Sequence, residues 1–443
     1  MSALRPGQLL RCVQSHASCR VESLLGEGGQ GEVYRVSLNG QPYALKWYND
    51  IVLRVDRSLR RRLEVAIDHG APSAEFLWPF ELVTLADGSR LGYLMRLRHP
   101  DYLKIQSVLA EQVRPSFRAL STTALRLTNA LLALHSKGLV YQDLNAGNVF
   151  FDPETGAIEI CDNDNVDIDG APSVMGGVWE FQAPEVVLRQ AGPSRATDLH
   201  SLAVMLFRLL HIGHPLVGRC ELAHHNLTDP SVLRRIFGTE ARFVFDPLDD
   251  SNRPLPDRHG PVLGHWAIYP QALRTLFERA FTEGLYDPAH GRVQETEWRR
   301  AMQQLHDAVQ TCPGCGAQSF YDPQRLADRR PTHPCWGCGA ALPSAPPRIG
   351  LRRAQARPGD APGSVVVLEP GARLTGGHLG EADAAMLFAE VAGTPQALTN
   401  LGPRSWSALR PNLAAAPVAP GETIAIEAGL RIDFGRMIGE VKT

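Results

Sequence analysis

The sequence predicts an α+β chain of two lobes, followed by a cysteine-rich segment and a small all-β, sandwich-like domain. Three observations carry this reading. Residues 20–48 alternate apolar and polar side chains around a glycine cluster, as strands do, while helical spacing dominates later, from 117 to 310. Two Cys-x-x-Cys pairs stand at Cys312/Cys315 and Cys335/Cys338. Beyond residue 365, short strand-like runs alternate with glycine and proline turns.

The elements follow in order. Residues 20–48 read as a β-hairpin or meander. RSLRRRLEVAIDH (57–69) has helical spacing, and the runs WPFELVTL and LGYLMRL flank a turn at 86–89 as strands. FRALSTTALRLTNALLALHS (117–136) is a long helix, followed by short strands in LVYQDL, GNVFFD and AIEICDND. TDLHSLAVMLFRLLH (197–211) is apolar around most of its circumference, as a buried helix is. Residues 271–283 and 294–310 are amphipathic helices. The expected organisation is a strand-rich lobe over 15–98, a helical lobe over 99–308, the cysteine segment over 311–340, a Pro/Ala/Gly/Arg-rich linker over 341–364 and a β domain over 365–443.

Composition narrows the class. The 443 residues include 45 Lys+Arg and 47 Asp+Glu, with a net charge of -2, 44% hydrophobic and 21% charged residues. That is ordinary globular composition and excludes a mainly disordered chain. No run approaches the ~18 apolar residues of a membrane span. The start, MSALRPGQLLRC, has no basic region leading into an apolar stretch, so a cytoplasmic location with reduced thiols is expected. The near-balanced charge argues against a nucleic-acid coat, and neither nucleic acid nor membrane is expected as a partner. Lysine occurs only at Lys46, Lys104, Lys137 and Lys442; every other basic residue is arginine. Coding bias accounts for the skew, yet a lysine kept where arginine is the default marks a place for a compact ammonium.

One constellation carries chemistry. Residues 26–33, Gly-Glu-Gly-Gly-Gln-Gly-Glu-Val, fit G-x-G-x-x-G-x-V through Gly26, Gly28, Gly31 and Val33. Residues without Cβ let backbone N–H groups approach phosphate. A strand follows this loop, which disfavours a dinucleotide site of strand–loop–helix type. Ala44-Leu45-Lys46 lies in the next strand, and a lysine facing inward needs an anionic partner. Glu64 in the following helix is the expected partner, with Arg60–Arg62 beside it as competitors. Asp143 and Asn148 have the spacing D-x-x-x-x-N, Asp162 ends an apolar strand, and Ala183-Pro184-Glu185 and Asp198 follow.

This ordered set resembles the protein kinase family over about 290 residues. The resemblance implies a two-lobed protein-kinase-like fold using ATP and Mg²⁺. Gly26, Glu27, Gly28, Gly29, Gln30 and Gly31 would cover the phosphates, Val33 and Ala44 would also line the nucleotide site, and Leu94–Leu97, with Met95, Arg96 and Leu97 as contacts, would be the hinge that receives adenine. Lys46 would contact the α/β-phosphates and pair with Glu64. Asp143 would accept the proton of the attacking hydroxyl, and Asn148 and Asp162 would hold Mg²⁺. Glu185 would pair with Arg292, and Asp198 would brace the catalytic loop. There are departures. The family's His-Arg before the catalytic acid is Tyr141-Gln142, which removes the usual receiver of an activating phosphate. Its lysine two residues after the acid is Asn145, and Asp-Phe-Gly is Asp162-Asn163-Asp164. Asp164 is expected either as a further Mg²⁺ contact or as a solvated loop acid. The expected activity is Ser/Thr kinase on protein substrates. A pseudokinase scaffold is the alternative, and a DNA-associated regulator acting through the cysteine segment is the third reading.

The spacing of Cys312, Cys315, Cys335 and Cys338, with glycine after each pair, predicts a zinc ribbon. Four thiolates close a tetrahedral Zn²⁺ site, so its role is expected to be structural. Residues 398–436 resemble the second half of a forkhead-associated domain. That family's phosphothreonine-binding arginine, serine and histidine have no counterparts at matching positions, which implies a docking or structural β-sandwich. The stretches ICDNDNV, EFLWPFELV and GVWEFQAPEV resemble bacterial kinases of the tellurite-resistance-associated type. That resemblance implies stress signalling, with a PP2C-like phosphatase and a von Willebrand-type domain protein as partners.

Overall fold

The computed structural model describes residues 3–85, 87–171, 177–356, 363–393 and 396–443. Ala86 of the expected turn and Arg357 of the expected linker fall outside these. The chain divides into two compact units, one of residues 1–263 with 276–299 and one of residues 264–275 with 300–443.

In the first unit, β1 (Leu9–Cys12), β2 (Ser18–Gly28), β3 (Gly31–Leu38), β4 (Gln41–Tyr48), β5 (Glu81–Thr84) and β6 (Leu91–Met95) form a closed barrel. The sequence predicts a hairpin or meander over 20–48 in a lobe that starts at residue 15. Instead β1 precedes that boundary and closes the sheet by pairing Cys12 with Val83, a contact between distant segments. Alternation along β4 decides the site. Leu45 and Trp47 fill the barrel with Val36, Tyr34 and Leu94. Ala44, Lys46 and Tyr48 therefore share the other face, where Ala44 and Tyr48 pack with Leu59 and Leu63. Those two leucines lie on α2 (Leu59–His69), which follows the short α1 (Asp50–Val55).

The β2–β3 hairpin turns through Gly29 and Gln30, with Gly28 opposite Gly31. Gly31 has φ 156°, and a Cβ there would meet the Trp47 carbonyl oxygen at 2.0 Å. Only glycine lets the hairpin lie so close to β4.

The helical part of this unit begins with β7 (Leu103–Lys104) and α3 (Gln106–Leu109) and is built on α4 (Phe117–Ser136). Four short strands follow: β8 (Leu139–Val140), β9 (Val149–Phe151), β10 (Ile158–Ile160) and β11 (Asp167–Ile168). After α5 (Pro184–Val187), α6 (Arg195–His211) is buried on nearly every face, as its composition predicts. Ser194 and Thr197 cap it reciprocally.

The second unit contains the cysteine segment and an all-β region. Arg348–Arg353 lies between Ser364–Val367 and Met437–Lys442 in a six-stranded sheet. Arg373–Thr375, Leu387–Ala392, Ala397–Asn400 and Thr423–Ala425 form a four-stranded sheet. Ile349, Leu351, Val366, Leu374, Ala389, Leu398, Ile432 and Val441 share one core. Residues 341–364, read as linker from their Pro/Arg content, thus include a central strand. Ile349 and Leu351 alternate with polar or small neighbours and point into that core. No helix among the described residues is long and apolar enough to cross a membrane.

A buried charge network steadies the helical part of the first unit. His135 donates through Nε2 to Asp198 Oδ2, 3.1 Å away, and through Nδ1 to Glu295 Oε1. Arg195 holds the other Glu295 oxygen at 2.7 Å. Burial opposes charge on His135, but Asp198 and Glu295 raise its pKa to about 9. Burial likewise opposes charge on Glu295, while His135 and Arg195 hold it down to about 2. The raised histidine contributes stability in full below its unfolded pKa of about 6.5. That contribution, on the order of 3 kcal/mol, disappears as pH rises through about 9. Thermal melts between about pH 6.5 and 9.5 should show a falling Tm for the natural chain, and a lower, flatter profile for His135→Gln. A natural-chain Tm independent of pH over that range would contradict the assignment.

Candidate active site and cysteine cluster

Lys46 is buried, with 5% of its surface exposed. Its ammonium has three donors, and the structure fills all three. Nζ lies 2.7 Å from Gln30 Oε1, 3.3 Å from Asp162 Oδ1 and 2.8 Å from Asp164 Oδ2. Tyr48, two residues along the same strand face, donates its hydroxyl to Asp164 Oδ2 at 2.5 Å. Burial works against the charge on Lys46, but the two carboxylates raise its pKa. Burial also works against the charge on Asp164, and Lys46 lowers its pKa. Both therefore stay ionised.

Two expectations change here. Glu64 does not reach Lys46: it is half exposed and pairs with Arg60 one turn away at 2.9 Å. The inward residue of α2 is Arg62, whose Nε donates to the Asp164 carbonyl oxygen at 3.1 Å. Its other nitrogens bind Asp56, at 2.6 Å for the shorter contact. A second cation beside Lys46 leaves the helix no place for the lysine's acid. Asp164, expected as a metal contact or a solvated acid, is instead buried, with its Oδ2 taken by Lys46 and Tyr48. Asn163, where the family pattern has Phe, donates to the backbone oxygens of Leu77 and Ile160 at 2.8 and 3.0 Å. A polar anchor replaces an apolar one.

The glycine hairpin closes over this cluster. Asn49 donates through Nδ2 to the Gly29 oxygen and through its backbone N–H to the Gln30 oxygen. A Cβ on Gly26, Gly28 or Gly29 would meet nothing within 4 Å, so one side of the hairpin is open space. Val33 faces Lys46 across the β3–β4 pair, and Ala44 faces Met95 across β4–β6. Leaving β6, Arg96 pairs with Glu159 and donates to the Ala74 oxygen, and Leu97 packs against the α2-facing core.

The residues around Asp143 and Asn148 gather after β8. The backbone N–H groups of Tyr141 and Gln142 donate to the two oxygens of Asp198, at 2.6 and 3.0 Å. Gln142 has φ 71°, a left-handed conformation that costs a non-glycine residue about 1–2 kcal/mol, and Asp198 holds it there. Tyr141 donates its hydroxyl to the Cys161 oxygen, directly before Asp162. Asp143 accepts from Asn145 Nδ2 at 3.0 Å and Asn148 Nδ2 at 3.2 Å. Burial raises the Asp143 pKa, while these two amides oppose the rise and the nearby Asp162 charge adds to it. Asn148 uses only Nδ2 in these bonds, leaving Oδ1 for another ligand. Glu185 pairs with Arg292 at 3.0 Å, and Glu180 with Arg208 at 2.6 Å.

Tyr48, Arg62, Tyr141 and His135 were not singled out from the sequence for these contacts. The period-2 face of β4 was a usable signal for Tyr48. Nothing local marks Arg62 as the inward residue of α2.

In the second unit, the four thiols converge. Cys312 Sγ lies 3.7 Å from Cys338 Sγ, and Cys315 Sγ lies 3.5 Å from Cys335 Sγ. All four lie within 4.8 Å of one another. The two Cys-x-x-Cys turns match: Cys312 and Cys335 accept from Gly316 and Gly339 at 2.9 and 2.8 Å, and both glycines have φ near 75°. Burial opposes it, but backbone N–H groups of Cys338 and Gly337 lower the Cys335 pKa to about 7.

A family profile described as "Protein kinase domain" matches residues 19–253. Ribosomal protein S6 kinase alpha-2 of Homo sapiens is 29% identical over 213 residues, 44% of this chain and 27% of that protein. Ribosomal protein S6 kinase alpha-6 of Danio rerio is 29% identical over 209 residues, 44% of this chain and 27% of that protein. The DNA damage-responsive serine/threonine-protein kinase RqkA of Deinococcus radiodurans is 29% identical over 282 residues, 61% of this chain and 38% of that protein. The matched parts thus span 27% to 38% of these relatives' lengths. With the profile matching more than half of the 443 residues, including β3 to β6, Lys46 and the Asp143 loop, the chain belongs to the protein kinase family.

Proposed function

We propose that the first unit transfers the γ-phosphoryl group of ATP to Ser/Thr hydroxyls of protein substrates. The observation that supports this best is the setting of Asp143. Its carboxylate sits on a loop whose amides Asp198 fixes, takes two side-chain amide bonds, and has a raised pKa. A raised carboxylate pKa favours accepting a proton from a hydroxyl as it attacks.

The residues present fit Mg²⁺ and nucleotide. Asp164 matches Lys46 and Asp56 matches Arg62, which leaves Asp143 and Asp162 as neighbouring acids beside Asn148, a set that suits a hard cation with oxygen ligands. Asp162, two-fifths exposed, and Asn148 Oδ1 would hold it. Bound Mg²⁺ supplies charge neutralisation on the phosphates. Lys46 positions the α/β-phosphates, and the open side of Gly26, Gly28 and Gly29 offers backbone room beside them. Met95, Arg96 and Leu97 form the hinge for adenine.

Four converging thiols support a structural Zn²⁺ in the second unit. About 2.3 Å from metal to sulfur in a tetrahedron requires sulfurs about 3.8 Å apart, close to the spacings observed. The forkhead-associated-like sandwich serves docking. The resemblance to tellurite-resistance-associated kinases, and a relative named as DNA damage-responsive, support a cytoplasmic role in bacterial stress signalling. The partners there are a PP2C-like phosphatase and a von Willebrand-type domain protein.

Labelled MgATP with a generic protein substrate should show transfer, and Asp143→Ala should lower it on the order of 100-fold or more. Transfer absent from the natural chain, with nucleotide still raising its Tm, would favour the pseudokinase scaffold. Lys46→Arg keeps the charge but should raise the KM for MgATP about tenfold, the cost of one charge-assisted hydrogen bond. An unchanged KM would contradict the role given to Lys46. Metal analysis should find about one zinc per chain, and Cys315→Ser should abolish it and open residues 311–342 to protease. Metal-free protein with the same protease pattern would overturn the zinc assignment.

A further inference from the structure

We propose that Asp164 is the positioning residue for Lys46, in the place the kinase pattern gives to Glu64, so that the lysine is tied to the metal-binding segment and not to helix α2. The inference rests on the phosphoryl-transfer reading of this same site.

Four observations carry it. The Lys46–Asp164 contact is the shortest of the lysine's two ion pairs, 2.8 Å against 3.3 Å to Asp162. Asp164 is 2% exposed, so water does not screen the pair. Tyr48 fixes the same oxygen from the lysine's own strand, and Arg62 fixes the Asp164 backbone from α2. Glu64 is on the solvent side with Arg60.

The arrangement is more than packing. Burying an ion pair costs desolvation that an apolar pair of similar size would not, so such a pair is poor value for stability alone. Asp164 Oδ1 and the Tyr93 hydroxyl are also buried with no hydrogen-bond partner among the described residues, a further cost. In return Lys46 has a fixed place beside Asp162, two residues away in the same turn. To reach phosphate, the ammonium must give up one of three bonds. Asp164 is sealed in, whereas Gln30 belongs to the open hairpin. The Gln30 bond is the one exchanged, and the Asp164 bond persists. Because α2 contributes no acid, a shift of that helix breaks no bond to the lysine itself and acts on it only through Arg62 at the Asp164 backbone.

The test uses the full chain labelled with ¹⁵N-lysine. With lysines only at 46, 104, 137 and 442, Lys46→Arg identifies the Lys46 ammonium signal. A slowly exchanging Lys46 signal is expected in the natural chain and in Glu64→Gln, and its loss in Asp164→Asn. Tyr48→Phe, which keeps the ring packing, should speed its exchange several-fold, and this variant carries the test if Asp164→Asn does not fold. ATP affinity measured without Mg²⁺ should fall about tenfold in Asp164→Asn, one charge-assisted bond, with KM rising more than kcat falls. Loss of the signal in Glu64→Gln would overturn the proposal. So would a signal and Mg²⁺-free affinity that survive Asp164→Asn, with only the Mg²⁺ requirement raised, since that is the behaviour of a metal ligand. If the natural chain transfers no phosphoryl group, the functional reading fails on its own, and the ammonium signal still decides the anchor.

Discussion

The first unit is organised around one buried ion pair, Lys46 with Asp164. A lysine in the barrel's buried face is unfavourable without an anion, and a carboxylate at 2% exposure is unfavourable without a cation. Each makes the other possible. The pair joins β4, which the barrel holds rigidly, to the segment that carries Asp162. Tyr48 and Arg62 then tighten the junction from the strand and from α2. Gln30 extends it to the glycine hairpin, which Gly31 allows to lie against β4. The surface around Lys46 is the consequence of a single charge requirement met by residues far apart in the chain.

A second fixed point lies at Asp198. Asp198 holds two backbone amides of the loop before Asp143 and, through His135, leans on Glu295 and Arg195. Tyr141 links that loop to Cys161, directly before Asp162. Asp143 and Asp162 are thus positioned by separate networks that meet through one phenol. The arginine that would receive an activating phosphate is Gln142, and Glu180–Arg208 and Glu185–Arg292 hold the segments around Phe181 and Pro184 with ordinary carboxylates.

Much of this was legible in the sequence. Lys46, Asp143, Asn148, Asp162, Glu185, Asp198 and Arg292 stand at spacings that place them on known kinds of strand end, loop and helix start. The structure sets Asp198 under the loop that carries Asp143 and Glu185 against Arg292, as the kinase resemblance implies. What was not legible depends on contacts between distant segments. Barrel closure rests on Cys12 meeting Val83. The partner of Lys46 depends on the rotation of α2, which turns Arg62 inward and Glu64 outward, and on a polar turn where Phe and Gly were the expected types. The strand at Arg348–Arg353 was hidden because its Pro- and Arg-rich surroundings read as linker, although Ile349 and Leu351 already carried the alternation. The tail's division into two sheets rests on pairing between strands as far apart as Ile349 and Val441.

The most direct test of the account is a crystal structure of the chain with Mg²⁺ and a non-hydrolysable ATP analogue. Lys46 should keep its bond to Asp164 and exchange Gln30 for a phosphate oxygen, with Glu64 still beside Arg60. A complex in which α2 has turned to bring Glu64 onto Lys46, with Asp164 released, would contradict it.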